Sequence, residues 1–249
     1  MIFMKRKEIV LDCFTTRPDV YNYFPLQYGS KMLPDWWKKI PNSYTTNGLD
    51  ENPTLKGCAG FIDFYTEAIS IPLWTDISFK STQSNKLVHW LSSDQITEVQ
   101  FHHMFQLGDY LSNNRSKYIH MKIVSPWLFS CKKDIKFLFS GNTWSLDNPQ
   151  DIVIPTGISN FKYQSSTNIN MLLFFNNVQT FKLNAGIPLI HLFPITDKKI
   201  KLKMHLIREE EYSKISYLHN TNFFSKNYFR RKNKIKNLKK CPISTILNR

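Results

Sequence analysis

The sequence predicts a mainly β protein: an antiparallel sandwich or barrel of the double-stranded β-helix (jelly-roll) type, with an irregular N-terminal arm and a C-terminal helix. Three observations lead there. From about Thr54 onward, short apolar stretches alternate with polar residues or run unbroken, and Gly, Pro and Asn separate them. About ten such stretches recur at roughly 8–12-residue spacing, the pattern of an antiparallel sandwich or barrel. Residues 208–240 instead begin with three glutamates and end in lysines, the charge order that complements a helix dipole.

Residues 1–53 form the arm. Pro18, Pro25, Pro34, Pro41 and Pro53 interrupt any long element, because each fixes φ and removes an amide donor. Within it "LPDWWKKIP" allows a short helix that presents Trp36 and Trp37, and these are expected to pin the arm onto the main domain. Residues 54–207 form the β-domain. "GFIDFYTEAISIPLWTDISFK" alternates about Glu67-Ala68 and reads as a hairpin, continued by "KLVHWLSS". Residues 95–112 fit either a helix or a strand followed by a loop. The remaining strands are read in "YIHMKIVSPW", "KFLFSG", "DIVIPTG", "INMLLFFN", "TFKLNAG", "PLIHLFPI" and "KIKLKMHLI". In "TFKLNAGIPLIHLFP" a strand, a turn at Ala185-Gly186 and a strand opening on a proline match the way cupin-like jelly rolls turn one hairpin. Residues 208–249 supply the basic helix and tail.

Composition narrows the function. A chain of 249 residues with 42% hydrophobic and 14% aromatic content can bury a large core. No apolar run is long enough to span a bilayer, and the first residues lack the pattern of a secretory signal. Cys13, Cys58, Cys131 and Cys241 lie far apart with no CxxC, which fits a reducing compartment. Of the net charge of +14, nine basic residues fall between Asn222 and Arg249 with no acidic residue among them. Arg230, Arg231, Lys232 and Lys234 are therefore the candidate nucleic-acid contacts, against a simply solvated tail.

Motifs exclude more than they assign. A facial-triad iron site needs His-x-Asp/Glu, so that three ligands converge and leave positions open. None of the seven histidines has an acidic residue two positions on, and none forms His-x-His. No metal and no cofactor is expected. G-x-S-x-G, P-loop and GxGxxG patterns are absent too. In "HHMFQLGD" a helix would set His102 or His103 beside Gln106, with Asp109 near both, as a hydrogen-bonding patch. Asp63 and Asp76, on opposite arms of the expected hairpin, allow a glycosidase-like facing pair, but an aspartate that caps a turn or pairs with lysine is the commoner arrangement and the one expected.

The order of "LPDWWKKIP", "TLKGCAGFIDFYTEAISIPLWTDISF", "FHHMFQ", "SPWLF", "INMLLFF", "FKLNAGIPLIHLFPI" and "SKNYFRRKNKIK" resembles an uncharacterised family of cupin-like jelly-roll proteins from large tailed phages of marine and cyanobacterial hosts. The resemblance runs from about Leu33 to Lys236. Its motif positions fall on Cys58, Asp63, Asp76, His103, Gln106, Trp127, Asn170, Gly186, Pro188 and Pro194. Two departures stand out: "PITDKK" where an arginine follows the second proline, and "CKKDIKFLFSG" in place of a Gly-Tyr-Ser stretch. The resemblance implies phage origin and a jelly-roll fold, and brings no reaction. The expectation is a β-domain that binds a small molecule or partner in a polar pocket of His103, Gln106, Asp63, Asp76, Asn170, Cys58 and Trp127, in the cytoplasm of an infected cell. Alternatives are an oxygenase-like or sugar-modifying enzyme with non-standard ligands, and a structural component of the virion.

Overall fold

The computed structural model describes residues 8–46, 48, 50–81, 88–102, 118–146, 152–174, 180–220 and 233. Its strands are β1 (Ile9–Thr15), β2 (Gln27–Tyr28), β3 (Ser43–Thr46), β4 (Asp50–Pro53), β5 (Ile69–Pro72), β6 (Ile77–Ser81), β7 (Val88–Ser92), β8 (Val99–Phe101), β9 (Tyr118–Ile123), β10 (Leu128–Ser130), β11 (Phe137–Gly141), β12 (Ile152–Val153), β13 (Gly157–Ser159), β14 (Ile169–Phe174), β15 (Thr180–Leu183), β16 (Pro188–Pro194) and β17 (Ile200–Leu206). Helices are α1 (Pro18–Tyr23), α2 (Asp35–Lys39), α3 (Ala59–Glu67) and α4 (Glu209–Asn220). The strands form five sheets, in orders β10-β1-β17, β13-β11-β16-β5-β2, β12-β14-β9-β8, β15-β6-β7 and β3-β4. The protein is mainly β, and among the described residues no sheet closes into a barrel.

A bent ribbon organises the fold. β5 pairs with β16 and β6 with β15, both antiparallel, so the two halves lie in different sheets. At the corner, Leu73 N–H donates to Ile187 O at 2.8 Å and Gly186 N–H to Leu73 O at 2.7 Å. Gly186 has φ +85, left-handed backbone that glycine adopts without a Cβ penalty. A second ribbon pairs β9 with β14 and continues past the Leu128–Ser166 bridge, where Phe129 N–H donates to Ser165 O at 2.8 Å. Between the sheets lie Leu11, Ile71, Phe79, Trp127, Phe137, Phe161 and Met171, each fully buried. Burying side chains of this size contributes about 1.5–3 kcal/mol apiece.

Several expectations hold. "LPDWWKKIP" contains α2, with Asp35 in its first turn and Lys38 and Lys39 in its last. Its tryptophans do pin the arm: Trp36 Nε1–H donates to Trp144 O at 2.8 Å and Trp37 Nε1–H to Leu55 O at 3.2 Å. The Phe61 ring stacks against Trp37 at 5.7 Å and meets Trp144 edge-on at 5.5 Å. β7 continues β6 in an antiparallel pair, and α4 opens on Glu209, Glu210 and Glu211. In the ambiguous 95–112 stretch, Val99–Phe101 is strand, and residues beyond His102 lie outside the described set.

Three expectations are corrected. Residues 59–67 are helix, not the first arm of a hairpin. Phe61 and Tyr65 are its buried positions, and a spacing of four places residues on one face of a helix and equally on one face of a strand. The arm is not irregular throughout: in β1 the alternation Ile9, Leu11, Cys13, Thr15 is buried, and β1 sits centrally between β10 and β17. Its pairing with β17 is parallel and joins residues nearly the whole chain apart. β15 and β16, finally, are not partners in a hairpin, because the turn at Ala185-Gly186 carries the chain from one sheet into another.

Candidate functional site

The residues expected to share a pocket are dispersed. Cys58 is the exposed residue preceding α3, and Asp63 is exposed on that helix. Asp76 lies at the ribbon corner, where its carboxylate accepts from Ala185 N–H at 2.7 Å and meets Lys182 Nζ at 2.6 Å. Those two bonds, the backbone one first, hold its carboxyl below the usual range. Asp63 and Asp76 are thus not a facing carboxylate pair. Trp127 is fully buried core, its indole N–H unpartnered among the described residues. His103, Gln106, Arg230, Arg231, Lys232 and Lys234 lie outside the described residues. Among the described residues of the expected set, Asn170 belongs to the cluster that does form.

That cluster stands on the sheet β14-β9-β8. Along β9 and β14, Met121, Ile123, Ile169, Met171 and Leu173 are buried, so strand alternation turns His120, Lys122 and Asn170 to the opposite face. Register sets Gln100, Lys122 and Asn170 side by side across three strands. The next row begins where His102 N–H donates to His120 O at 2.9 Å. The two imidazoles stack, with centroids 4.2 Å apart and planes 24° from parallel. His102 Nε2 lies 3.2 Å from Asn170 Oδ1, so the tautomer protonated at Nε2 donates to the amide. Beyond them, Tyr118 and Phe174 form an aromatic pair at 5.8 Å.

Burial, and secondarily the neighbouring His102, pushes the His120 imidazole down to about 4. His120 is therefore neutral near pH 7, with one donor and one acceptor nitrogen. Its Nδ1 is buried and has no hydrogen-bond partner among the described residues. A buried polar atom left unpaired costs about 1–3 kcal/mol, which a ligand supplying the missing bond would recover. Ligation of a common metal suits this arrangement poorly, since nearly parallel rings direct their in-plane lone pairs side by side rather than to one point. Among the described residues no group of three or more His, Cys, Asp or Glu side chains could hold an ion.

Sequence reasoning missed a second imidazole pair. Ser70 Oγ lies 2.8 Å from His191 Nδ1, and the two residues face each other across β5 and β16. A serine beside an imidazole suggests a nucleophile, yet both residues are fully buried. Phe64 and Tyr65 approach the ring edge-on at 5.1 and 5.4 Å, leaving a substrate no path to Oγ. Tyr65 OH donates to Asn142 Oδ1 at 3.2 Å, extending a polar peg through the core. Nothing in the sequence signals the pair, because cross-strand register alone brings together residues 121 positions apart.

No helix among the described residues is long and apolar enough to cross a membrane. No protein-family model matches the chain, and a search of curated proteins finds no match.

Proposed function

We propose that this chain is a ligand-binding β-domain protein, holding a small molecule or a partner's polar group on the His102–His120–Asn170 face by hydrogen bonds. The observation that carries this reading is the buried Nδ1 of a neutral His120, unpartnered among the described residues, beside a stacked imidazole and a carboxamide. The neutral His120 imidazole and the Asn170 amide each offer both a donor and an acceptor, which suits uncharged polar groups better than a full charge. The bent β5–β6/β15–β16 ribbon supports assigning the fold to the jelly rolls. The order of motifs along the chain supports a phage-encoded protein acting in the infected cell.

A metabolite library screened by protein NMR, with side-chain ¹⁵N detection of the imidazoles, tests the reading. The expected hit moves the His120 Nδ1 resonance and weakens at least about tenfold in Asn170→Ala. A hit of equal affinity for the His102→Ala/His120→Ala double variant would place binding elsewhere. Stoichiometric iron, manganese or zinc lost on His120→Ala would replace hydrogen bonding by metal chemistry.

A further inference from the structure

A concave site elsewhere in the fold shares no residue with the imidazole face. A cleft of about 500 Å³ opens between the end of α3, β2 and the turn leading into β17. This volume lies in the usual range of roughly 300–1,000 Å³ for small-molecule sites. Its apolar surface comes from Tyr28 and Pro194 over the buried Ile69 and Ile200, and its charges from Glu67, Asp197, Lys198 and Lys199. The four formal charges cancel, and none of the four side chains enters an ion pair among the described residues. Opposite charges that share a cleft without neutralising one another are available to a ligand. Glu67 also ends helix α3, where the backbone dipole adds negative potential on the same side.

We infer that this cleft binds a small zwitterion of the α-amino-acid class. The ammonium group lies against Glu67 and the carboxylate against Lys198 and Lys199, with an apolar side chain over Tyr28 and Pro194. A simple anion would also meet Glu67 and Asp197, and a simple cation would also meet the two lysines. A ligand carrying both signs gives Glu67, Lys198 and Lys199 each an opposite charge to meet. The charges are solvent-facing, so affinity is expected on the order of 1 mM.

Amide NMR titration of the full chain with three probes tests this. L-Leucine carries both charges, N-acetyl-leucine lacks the ammonium and leucinamide lacks the carboxylate. Leucine is expected to shift the amides of Glu67, Ile69, Lys199 and Ile200 saturably, with each single-charge probe weaker by about fivefold or more. Glu67→Gln weakens leucine by a similar factor and leaves N-acetyl-leucine unchanged. The Lys198→Gln/Lys199→Gln double variant weakens leucine and leaves leucinamide unchanged. All three residues are exposed, so a matching wild-type spectrum elsewhere confirms that the variants are folded. Absence of saturable shifts, equal binding of the three probes, or leucine affinity indifferent to Glu67→Gln overturns the assignment.

Discussion

Replacing His191 should remove a defined part of this protein's sensitivity to acid. The ring is fully buried between two sheet strands, with Nδ1 2.8 Å from Ser70 Oγ and no partner for Nε2 among the described residues. An imidazolium needs acceptors for two N–H groups, and this site provides one. Burial accordingly pushes the ring from an ordinary 6.5 down to about 4. The unfolded chain thus binds the proton that the folded chain refuses, and only between those two values. His191 therefore costs nothing above about pH 6.5, destabilises progressively as the pH falls toward 4, and adds no further loss below. A shift of about 2.5 units corresponds to roughly 3 kcal/mol in total, of which about 2.5 kcal/mol is lost by pH 4.5. His191→Gln keeps a hydrogen-bonding group toward Ser70 and cannot charge. Urea unfolding of both proteins between about pH 7.5 and about pH 4.5 should show the stability difference moving in the variant's favour by that amount. Every other titrating group is common to the two curves and cancels. A difference that stays constant within about 0.5 kcal/mol across the range would refute the argument.

Other predictions follow from the corner and the candidate site. Asp76→Ala strips the Ala185 amide of its acceptor and should cost about 1–2 kcal/mol in denaturant unfolding, so unchanged stability would remove the carboxylate from the corner's support. Gly186→Ala meets no atom within 4 Å, and its cost, about 1 kcal/mol by the same measurement, should come from positive φ alone. His120 should titrate near pH 4 by NMR, and rise slightly in His102→Asn because burial, the larger cause, remains; an ordinary midpoint in the wild type would place the ring in water. Truncation after Tyr217 should leave the β-domain folded, with sheet amide resonances unchanged. Collapse of those resonances would make the helix end and tail part of the core.

The β character was legible because strand alternation is written locally, and so was α2, bounded by its prolines. What escaped depends on contacts distant in sequence. β1 carries a clean alternation, but its central place follows from parallel pairing with β17, which no local signal specifies. In α3 the four-residue spacing of Phe61 and Tyr65 satisfies both periods, and the packing of Phe61 against Trp36, Trp37, Trp144 and Tyr65 accompanies the helix. Asn170, read in the sequence as a pocket position, lies beside His102 of the "HHMFQ" stretch, and His103 falls outside the described residues. His120 drew no attention, since the motifs tested concern ligands close in sequence, whereas β8–β9 register creates this pair.

His120 and His191 are pushed to the same value, yet their surroundings give the shift different meanings. His191 has a serine on one nitrogen, aromatic rings edge-on to its imidazole and no exposed surface, so its neutrality belongs to the core. His120 keeps partial exposure, and its Nδ1, unpaired among the described residues, lies next to groups that can change their partners. An unpaired atom inside the core can be relieved only by repacking, whereas one beneath an open face can be relieved by a visitor. Substitution separates the two cases. His191→Ala should lower stability by several kcal/mol, because it empties a cavity and strands Ser70. His120→Asn should change stability by less than about 1 kcal/mol and act on ligand affinity instead. If His120→Asn instead unfolds the domain, the imidazole face is internal support and the binding reading loses its central observation.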